Sequence, residues 1–178
     1  VDSEVMLGRL KQAGWTITND PEEAQAIVVN TCSFIQSAAE ESIDTIVELA
    51  ELKKTGTCRR LVVTGCLPER YREQIVQAIP EVDLFLGTGA FDQIVQAVGD
   101  DQLARDAILP DPELACLDQH SASRVLTAPH MAYLKIAEGC SNRCSYCIIP
   151  KLRGRHKSQP LENVMGEAQE LVSSGVKE

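Results

Sequence analysis

Short apolar runs alternate with amphipathic segments through the first half of the chain, and this alternation constrains the fold most strongly. The runs are typical of strands buried in a parallel sheet, and they read "AIVVNTC", "RLVVTGC" and "VDLFLG". Each is followed by a helical pattern, in "SAAEESIDTIVELAELKKTG", "PERYREQIVQAI" and "AFDQIVQAVG". This β–α alternation predicts an α/β fold for residues 1–99, with a doubly wound parallel sheet covered by helices on both faces.

The predicted domain opens on a helix. Asp2 or Ser3 is placed to cap that helix and Gly14 to end it. Ser37 and Glu40 form a capping box for the helix that follows the first strand. Because doubly wound domains normally begin with a strand, we expect the first strand of this domain to be missing from the sequence.

A change of pattern after residue 99 predicts a domain boundary. Residues 100–130 lack clear periodicity and contain Pro110, Pro112 and Pro129, so we interpret them as a linker with one or two short strands. Residues 131–178 begin with the strand-like "MAYLKIAEG" and contain the helical "LENVMGEAQELVSSG". They therefore predict the first βα unit of a second, truncated domain.

The formal net charge of −9 argues against a non-specific nucleic-acid binder, because phosphate would be repelled. No apolar run reaches the roughly 18 residues that a membrane span requires. The start "VDSEVMLGRL" also lacks the pattern of a secretory signal peptide. We expect a cytoplasmic protein without a membrane partner. In that reducing compartment, its seven cysteines indicate metal binding or catalysis more than disulfides.

Two cysteines stand at the ends of predicted strands. Cys32 ends "AIVVNTC" and Cys66 ends "RLVVTGC". Parallel strands place their carboxyl ends at one edge of the sheet, where ligands bind, so the two thiols are predicted to face a common space. Cys58 precedes its strand and is predicted at the opposite edge.

Three further cysteines, Cys140, Cys144 and Cys147, follow one another in the spacing C-x3-C-x2-C. Three thiolates on a short loop can bind three irons of a cubane [4Fe–4S] cluster and leave the fourth iron open. An open coordination position is what a metal centre needs to bind and activate a small molecule.

Other readings of this loop stay open at this point. A structural zinc site needs four ligands, for which His156 or Cys116 would have to join the loop. A ferredoxin-like cluster would need a fourth cysteine, and none stands before Pro150. The cysteines could also be inert buried thiols.

A basic run follows the loop, with Lys151, Arg153, Arg155 and Lys157 in "KLRGRHK". It is either a solvated loop or a site where one arginine pairs with a carboxylate, because a guanidinium group binds carboxylate in a bidentate fork. The sequence does not select which arginine.

The segment "GCSNRCSYC" resembles the signature of the radical S-adenosylmethionine (SAM) enzymes. The resemblance implies that Cys140, Cys144 and Cys147 hold a [4Fe–4S] cluster whose open iron binds SAM. It also implies that Tyr146 lies against the adenine, and that residues 131–178 begin a partial TIM-type barrel.

The resemblance narrows to the methylthiotransferases, in their RimO branch, on the segments "VDSE", "NTCSFI", "EESIDTI", "TGCLPERY", "YLKIAEGCSNRCSYCIIPKLRG" and "KSQP". That branch implies methylthiolation of an aspartate in a small-subunit ribosomal protein. It implies two [4Fe–4S] clusters, SAM as both methyl donor and radical source, and an electron donor such as flavodoxin or ferredoxin. Cys32 and Cys66 match two ligands of the second cluster, and the third matching cysteine is absent from this sequence.

The resemblance assigns no catalytic side chain, and it leaves Cys58 and Cys116 as ordinary thiols. We expect the substrate-pocket residues to lie beyond Glu178 and the isolated chain to be inactive. Two alternatives remain, a tRNA adenosine methylthiotransferase of the same superfamily and a metal-binding module without catalysis.

Overall fold

A computed structural model of the chain describes residues 1–100, 106–115 and 124–178. Within these ranges, the main sheet has four parallel strands in the order β1-β2-β3-β4. The strands are β1 (Ala26–Thr31), β2 (Arg60–Gly65), β3 (Leu84–Leu86) and β4 (Asp106–Ile108). The predicted parallel sheet is confirmed, and β4 adds to it a strand from residues 100–130.

Helices cover both faces of this sheet, which confirms the doubly wound prediction. They are α1 (Asp2–Gln12), α2 (Gln36–Ala50), α3 (Leu52–Thr55), α4 (Cys66–Tyr71), α5 (Glu73–Ala78) and α6 (Ile94–Gly99). Alternate residues of a strand point to opposite faces, so β2 contributes to both cores. Leu61 and Val63 pack with α2, α4 and α5, whereas Val62 packs with α1 and α6.

The register of the sheet brings its first two strands to the same edge. Thr31 of β1 is paired with Gly65 of β2, so the next residues, Cys32 and Cys66, follow directly at the carboxyl ends of adjacent strands. Cys58 precedes β2 and lies at the other edge, buried. The predicted placement of all three cysteines relative to the sheet is confirmed.

The remaining elements are β5 (Ala137–Glu138), α7 (Ile149–Arg153), β6 (Lys157–Ser158) and α8 (Leu161–Ser173), with β5 and β6 antiparallel. The predicted helix is confirmed as α8. The predicted strand "MAYLKIAEG" is regular only at β5, because only those residues pair with β6. The predicted continuation into a barrel stays a prediction.

Helix α7 attaches this part of the chain to the carboxyl edge of the sheet. Its Leu152 side chain is fully buried, and α7 packs against α4. The hydroxyl of Thr88, just beyond β3, donates a hydrogen bond of 2.6 Å to the carbonyl of Leu152. The loop that carries the last three cysteines therefore begins and ends beside the edge where β1 and β2 end.

Two predicted helix caps are wrong. No side chain caps α1: Asp2 binds Lys135 and the Ser3 hydroxyl accepts a hydrogen bond from Asn30. Ser37 lies inside α2, which begins two residues earlier than the capping box requires. At α1, hydrogen bonds to residues distant in sequence engage Asp2 and Ser3, the side chains that the local sequence assigns to capping.

The helix predicted over "PERYREQIVQAI" is interrupted. Arg72, with a φ of 45°, separates α4 from α5. Its guanidinium pairs with the buried Glu69 and donates to the carbonyl of Leu109 beyond β4. These contacts hold Arg72 in a left-handed conformation that local sequence does not favour.

Among the described residues, there is no helix with the length and apolar character needed to cross a bilayer.

Candidate metal centres

The first candidate centre is the pair Cys32 and Cys66. Cys32 is exposed, whereas Cys66 has only 1% of its surface exposed. Burial raises the pKa of the Cys66 thiol, and the positive charge of Arg153 opposes that shift. Cys32 and Cys66 directly follow Thr31 and Gly65, which are paired in register, so the two cysteines end adjacent strands at this edge.

Gly65 allows the two strand ends to meet closely. It has a φ of 99°, and a Cβ there would lie 2.5 Å from the carbonyl oxygen of Thr31 and 2.7 Å from Oδ1 of Asn30. Only glycine adopts such a conformation without strain and leaves that space open. The glycine before Cys66 is therefore required by the geometry of the site.

Two hydroxyls beside this pair are buried without a partner. Ser33 follows Cys32 and Thr64 lies two residues before Cys66, and both side chains are inaccessible to solvent. Neither hydroxyl oxygen has a hydrogen-bond partner within the described part of the chain. Buried hydroxyls are normally satisfied, and hydrogen bonds to cluster sulfurs are a known way to satisfy and tune such a site.

The second candidate centre is the loop of Cys140, Cys144 and Cys147. Cys144 is exposed, and the other two are half-buried. The Cys140 N–H donates a bond of 3.1 Å to the carbonyl of Gly154, just after α7, which closes the base of the loop. The Cys147 N–H donates to the carbonyl of Cys144 at 3.1 Å, so the last two cysteines share a turn.

A second glycine shapes the base of this loop. Gly139 precedes Cys140 with a φ of 74°, and a Cβ there would lie 2.3 Å from the carbonyl oxygen of Arg155. In each candidate centre, a glycine in the left-handed conformation directly precedes a cysteine, with Gly65 before Cys66 and Gly139 before Cys140. Each glycine allows its cysteine to lie close to a neighbouring backbone.

The donor chemistry of these residues fits [4Fe–4S] clusters. Within residues 1–100, 106–115 and 124–178, no three His, Cys, Asp or Glu side chains converge as one bound metal ion would require. In a cubane each thiolate binds a different iron, so the thiolates surround a cluster and not a single ion. The loop offers three thiolates, and the sheet edge offers two together with orphaned hydroxyls.

The other residues considered from the sequence lie apart or stay untested. Cys58 is buried and its thiol donates to the carbonyl of Arg60 at 3.5 Å. Tyr146 is 90% exposed, so its side chain is accessible to a ligand, and its adenine role stays a prediction. His156 is exposed next to the loop base, and Cys116 lies outside the described residues.

The basic run divides into residues with different roles. Lys157 donates to the carbonyls of Pro112, Glu113 and Ala115 at 2.9, 3.0 and 2.9 Å, so it secures the chain beyond β4. The Arg155 side chain is 74% exposed and lies 3.3 Å from Glu113. Arg155 is therefore accessible to a carboxylate ligand, whereas Lys157 is committed to the fold.

Arg153 belongs to a charged cluster between the two candidate centres. The cluster consists of Asp2, Lys135, Glu138 and Arg153. Asp2 lies 2.8 Å from Lys135 and 3.0 Å from Arg153, and Glu138 pairs with both cations. Burial alone would raise the pKa of Asp2, but the two cations lower it below its ordinary value.

A cavity of about 460 Å³ opens beside the charged cluster. Its walls come from the start of α1, the loop after β1 and the segments that flank the three-cysteine loop. The lining residues are Val1, Asp2, Phe34, Lys135, Ala137, Glu138, Gly139, Ile149 and Arg153. The space therefore lies between segments that neighbour the two candidate centres.

Sequence reasoning missed the charged cluster and α7. Asp2 and Lys135 are separated by 133 positions, and no local pattern links them. Helix α7 had a signal, because Pro150 stands in its first turn and Gly154 ends it with a φ of 73°. That proline–glycine pair could have identified Arg153 as the end of a helix.

Several known proteins are similar in sequence to this chain. The model of "Uncharacterized protein family UPF0004" matches residues 1–87. The chain is 52% identical over 181 residues to the ribosomal protein uS12 methylthiotransferase RimO of Anaeromyxobacter sp. (strain K), and 50% identical over 181 residues to that of Geobacter sulfurreducens. Both alignments cover 100% of this chain. The chain belongs to the RimO methylthiotransferase family.

The RimO relatives are longer than this chain. The chain spans 38% of the length of the Anaeromyxobacter protein and 40% of that of the Geobacter protein. The resemblance that the motifs indicate is confirmed over the whole chain, because both alignments cover all of it. The metal-binding roles of Cys32, Cys66 and the three-cysteine loop stay predictions.

Proposed function

We propose that this chain forms the cofactor-binding part of an enzyme that methylthiolates the β-carbon of an aspartate in ribosomal protein uS12. The observation that carries the proposal is the docking of α7, which follows the three-cysteine loop, at the edge of the sheet where Cys32 and Cys66 stand, in a chain of the RimO family. The substrate comes from the names of the relatives.

In this proposal, the loop of Cys140, Cys144 and Cys147 holds one [4Fe–4S] cluster. Cys32 and Cys66 supply two ligands of a second cluster. When bound, the clusters and SAM supply the radical that removes hydrogen from the aspartate β-carbon, the sulfur that replaces it and the methyl group that completes the product.

The residues of the chain bind, orient and shield these groups. Burial of Cys66 keeps water from one side of the first candidate centre. The docked α7 holds the loop beside it, and Tyr146 is exposed next to Cys147, where it can contact a bound nucleoside. Flavodoxin or ferredoxin is the proposed electron donor, and the cytoplasm is the proposed location.

The test uses the intact enzyme that contains this sequence, purified without oxygen. Cys144→Ala should abolish formation of 5′-deoxyadenosine, because one iron loses its thiolate. Cys32→Ala should remove about four irons and spare deoxyadenosine formation, because the two sets bind separate clusters. Cys58→Ala is the matched control, and it should change neither iron content nor deoxyadenosine.

Mass spectrometry of uS12 from cells with and without the enzyme identifies the product. A methylthio group on one aspartate is expected only with the enzyme present. Deoxyadenosine formation with unmodified uS12 and methylthiolated tRNA would indicate the tRNA-modifying branch. A colourless protein that contains zinc and forms no deoxyadenosine would contradict the enzyme altogether.

A further inference from the structure

One side chain contacts elements of both candidate centres. Arg153 ends α7, and its side chain is 18% exposed. Burial raises the pKa of the Cys66 thiol at the sheet edge, and the positive charge of the Arg153 guanidinium group opposes that shift. Helix α7 packs against α4, the helix that begins at Cys66. The guanidinium group also lies 3.3 Å from Glu138, which stands two residues before Cys140.

Two more contacts tie Arg153 to the sheet domain. Asp2 at the start of α1 lies 3.0 Å from the guanidinium. The guanidinium carbon also lies 5.9 Å from the centroid of the Phe91 ring, within the range of a cation–π contact. Asp2 and Phe91 belong to the sheet domain, whereas Glu138 belongs to β5, just before the three-cysteine loop.

The geometry requires a guanidinium group. Its planar fork presents donors in several directions at once, whereas a lysine ammonium is a compact point charge on a flexible stem. The neighbouring cations do not make these contacts, since Lys151 is exposed and the Arg155 side chain is 74% exposed. Within the basic run, the contacts with Asp2, Glu138 and Phe91 are thus made by Arg153.

We propose that Arg153 is a positioning residue that fixes the edge of the sheet where Cys66 stands relative to the three-cysteine loop, so that groups held at the two centres keep a fixed separation. This inference rests on the proposed function, because it assigns a reason for a fixed separation of the two centres. A misplacement of about 1 Å can reduce the rate of a positioned reaction on the order of 100-fold.

The first test needs no cofactor and uses this chain. Arg153→Gln should speed hydrogen exchange of the Cys140 amide, which bonds to the Gly154 carbonyl, by about tenfold or more. The amides of β2 should change less than about twofold, since the sheet core does not depend on Arg153. The matched control is Arg59→Gln, which removes the same charge from an exposed site at the opposite edge.

The second test uses the intact enzyme with reconstituted clusters and measures two products. In Arg153→Gln, methylthiolated substrate formed per deoxyadenosine should fall about tenfold or more, while iron content and deoxyadenosine formation stay near native values. A residue with only a structural role would lower both products together. Arg59→Gln should leave the ratio unchanged.

The outcomes separate this inference from the proposed function. An unchanged product ratio in Arg153→Gln, a parallel loss of both products, or unchanged exchange at Cys140 would overturn the positioning role. A native enzyme that forms neither product would overturn the proposed function. Hydrogen exchange at the Cys140 amide would still show whether Arg153 holds the base of the loop, because that measurement does not depend on activity.

Discussion

Leu152→Ala tests whether α7 is held to the sheet by a single apolar anchor. Leu152 has no exposed surface, and it is the buried apolar side chain among the described residues after 123. The substitution removes three carbon atoms worth about 0.8 kcal/mol each on burial, or about 2.4 kcal/mol. The cavity left behind brings the expected cost to about 2–5 kcal/mol.

This loss should appear as local opening of α7, because the sheet has its own core on both faces. A loss of this size should increase the open population by a factor of about 30 to a few thousand, at about 1.4 kcal/mol for each factor of ten. Trypsin reports this opening directly, because Lys151, Arg153 and Arg155 are cleavage sites in and beside the helix.

Cleavage at these three sites is followed by mass spectrometry under conditions in which the rate tracks the open population. Leu161→Ala is the matched control, since its side chain is 71% exposed in α8 and its loss should change stability by less than about 0.5 kcal/mol. Equal cleavage rates in Leu152→Ala and the native chain would refute the anchor. So would an equal acceleration in Leu161→Ala.

Two further predictions concern the site edge. Gly65→Ala should lower the free energy of unfolding by about 2–4 kcal/mol, because an alanine would be strained at φ 99° and its Cβ would overlap the Thr31 carbonyl. Urea unfolding followed by Trp15 fluorescence measures this free energy. Gly166→Ala is its control, with nothing within 4 Å of the added atom, and a Gly65→Ala chain as stable as this control would contradict the argument. Because the pKa of Asp2 is lowered in the folded chain, the Asp2 carboxylate should stabilise the docked state at pH values above its ordinary pKa of 3.8, and this stabilisation should be lost as the pH falls below about 4. Hydrogen exchange at about pH 6 and about pH 3 measures the change in stability. If Asp2→Asn shows the same difference between the two pH values, the prediction is wrong.

The sequence predicted the sheet because its strands carry their own signal. Buried parallel strands are continuous apolar runs, and the residues that follow them must share one edge. Cys32 and Cys66 were therefore placed at one edge, and Cys58 at the other, without any structural information. The register Thr31–Gly65 then made the first two cysteines direct neighbours.

The remaining features depend on contacts between distant segments. Asp2 has a good local reason to cap α1, yet its carboxylate binds cations more than 130 positions away. Arg72 breaks a helix because Glu69 and the carbonyl of Leu109 bind its guanidinium. Arg153 could be recognised as basic from the sequence, but its contacts with Asp2 and Glu138 required the fold that brings these residues together.

The long sequence separations of these contacts have a consequence for folding. Glu4 pairs with Arg124 across 120 positions, and Asp2 with Arg153 across 151, whereas β1 and β2 pair across about 34 positions. Closing a longer loop costs more chain entropy, so we expect the sheet to assemble first and α7 to dock last. In that interval Cys66 already stands at the end of a formed strand while α7 has not yet packed against α4. The order of folding thus leaves an open period in which the thiols of both sets are accessible from solution, before the docking of α7 encloses one of them.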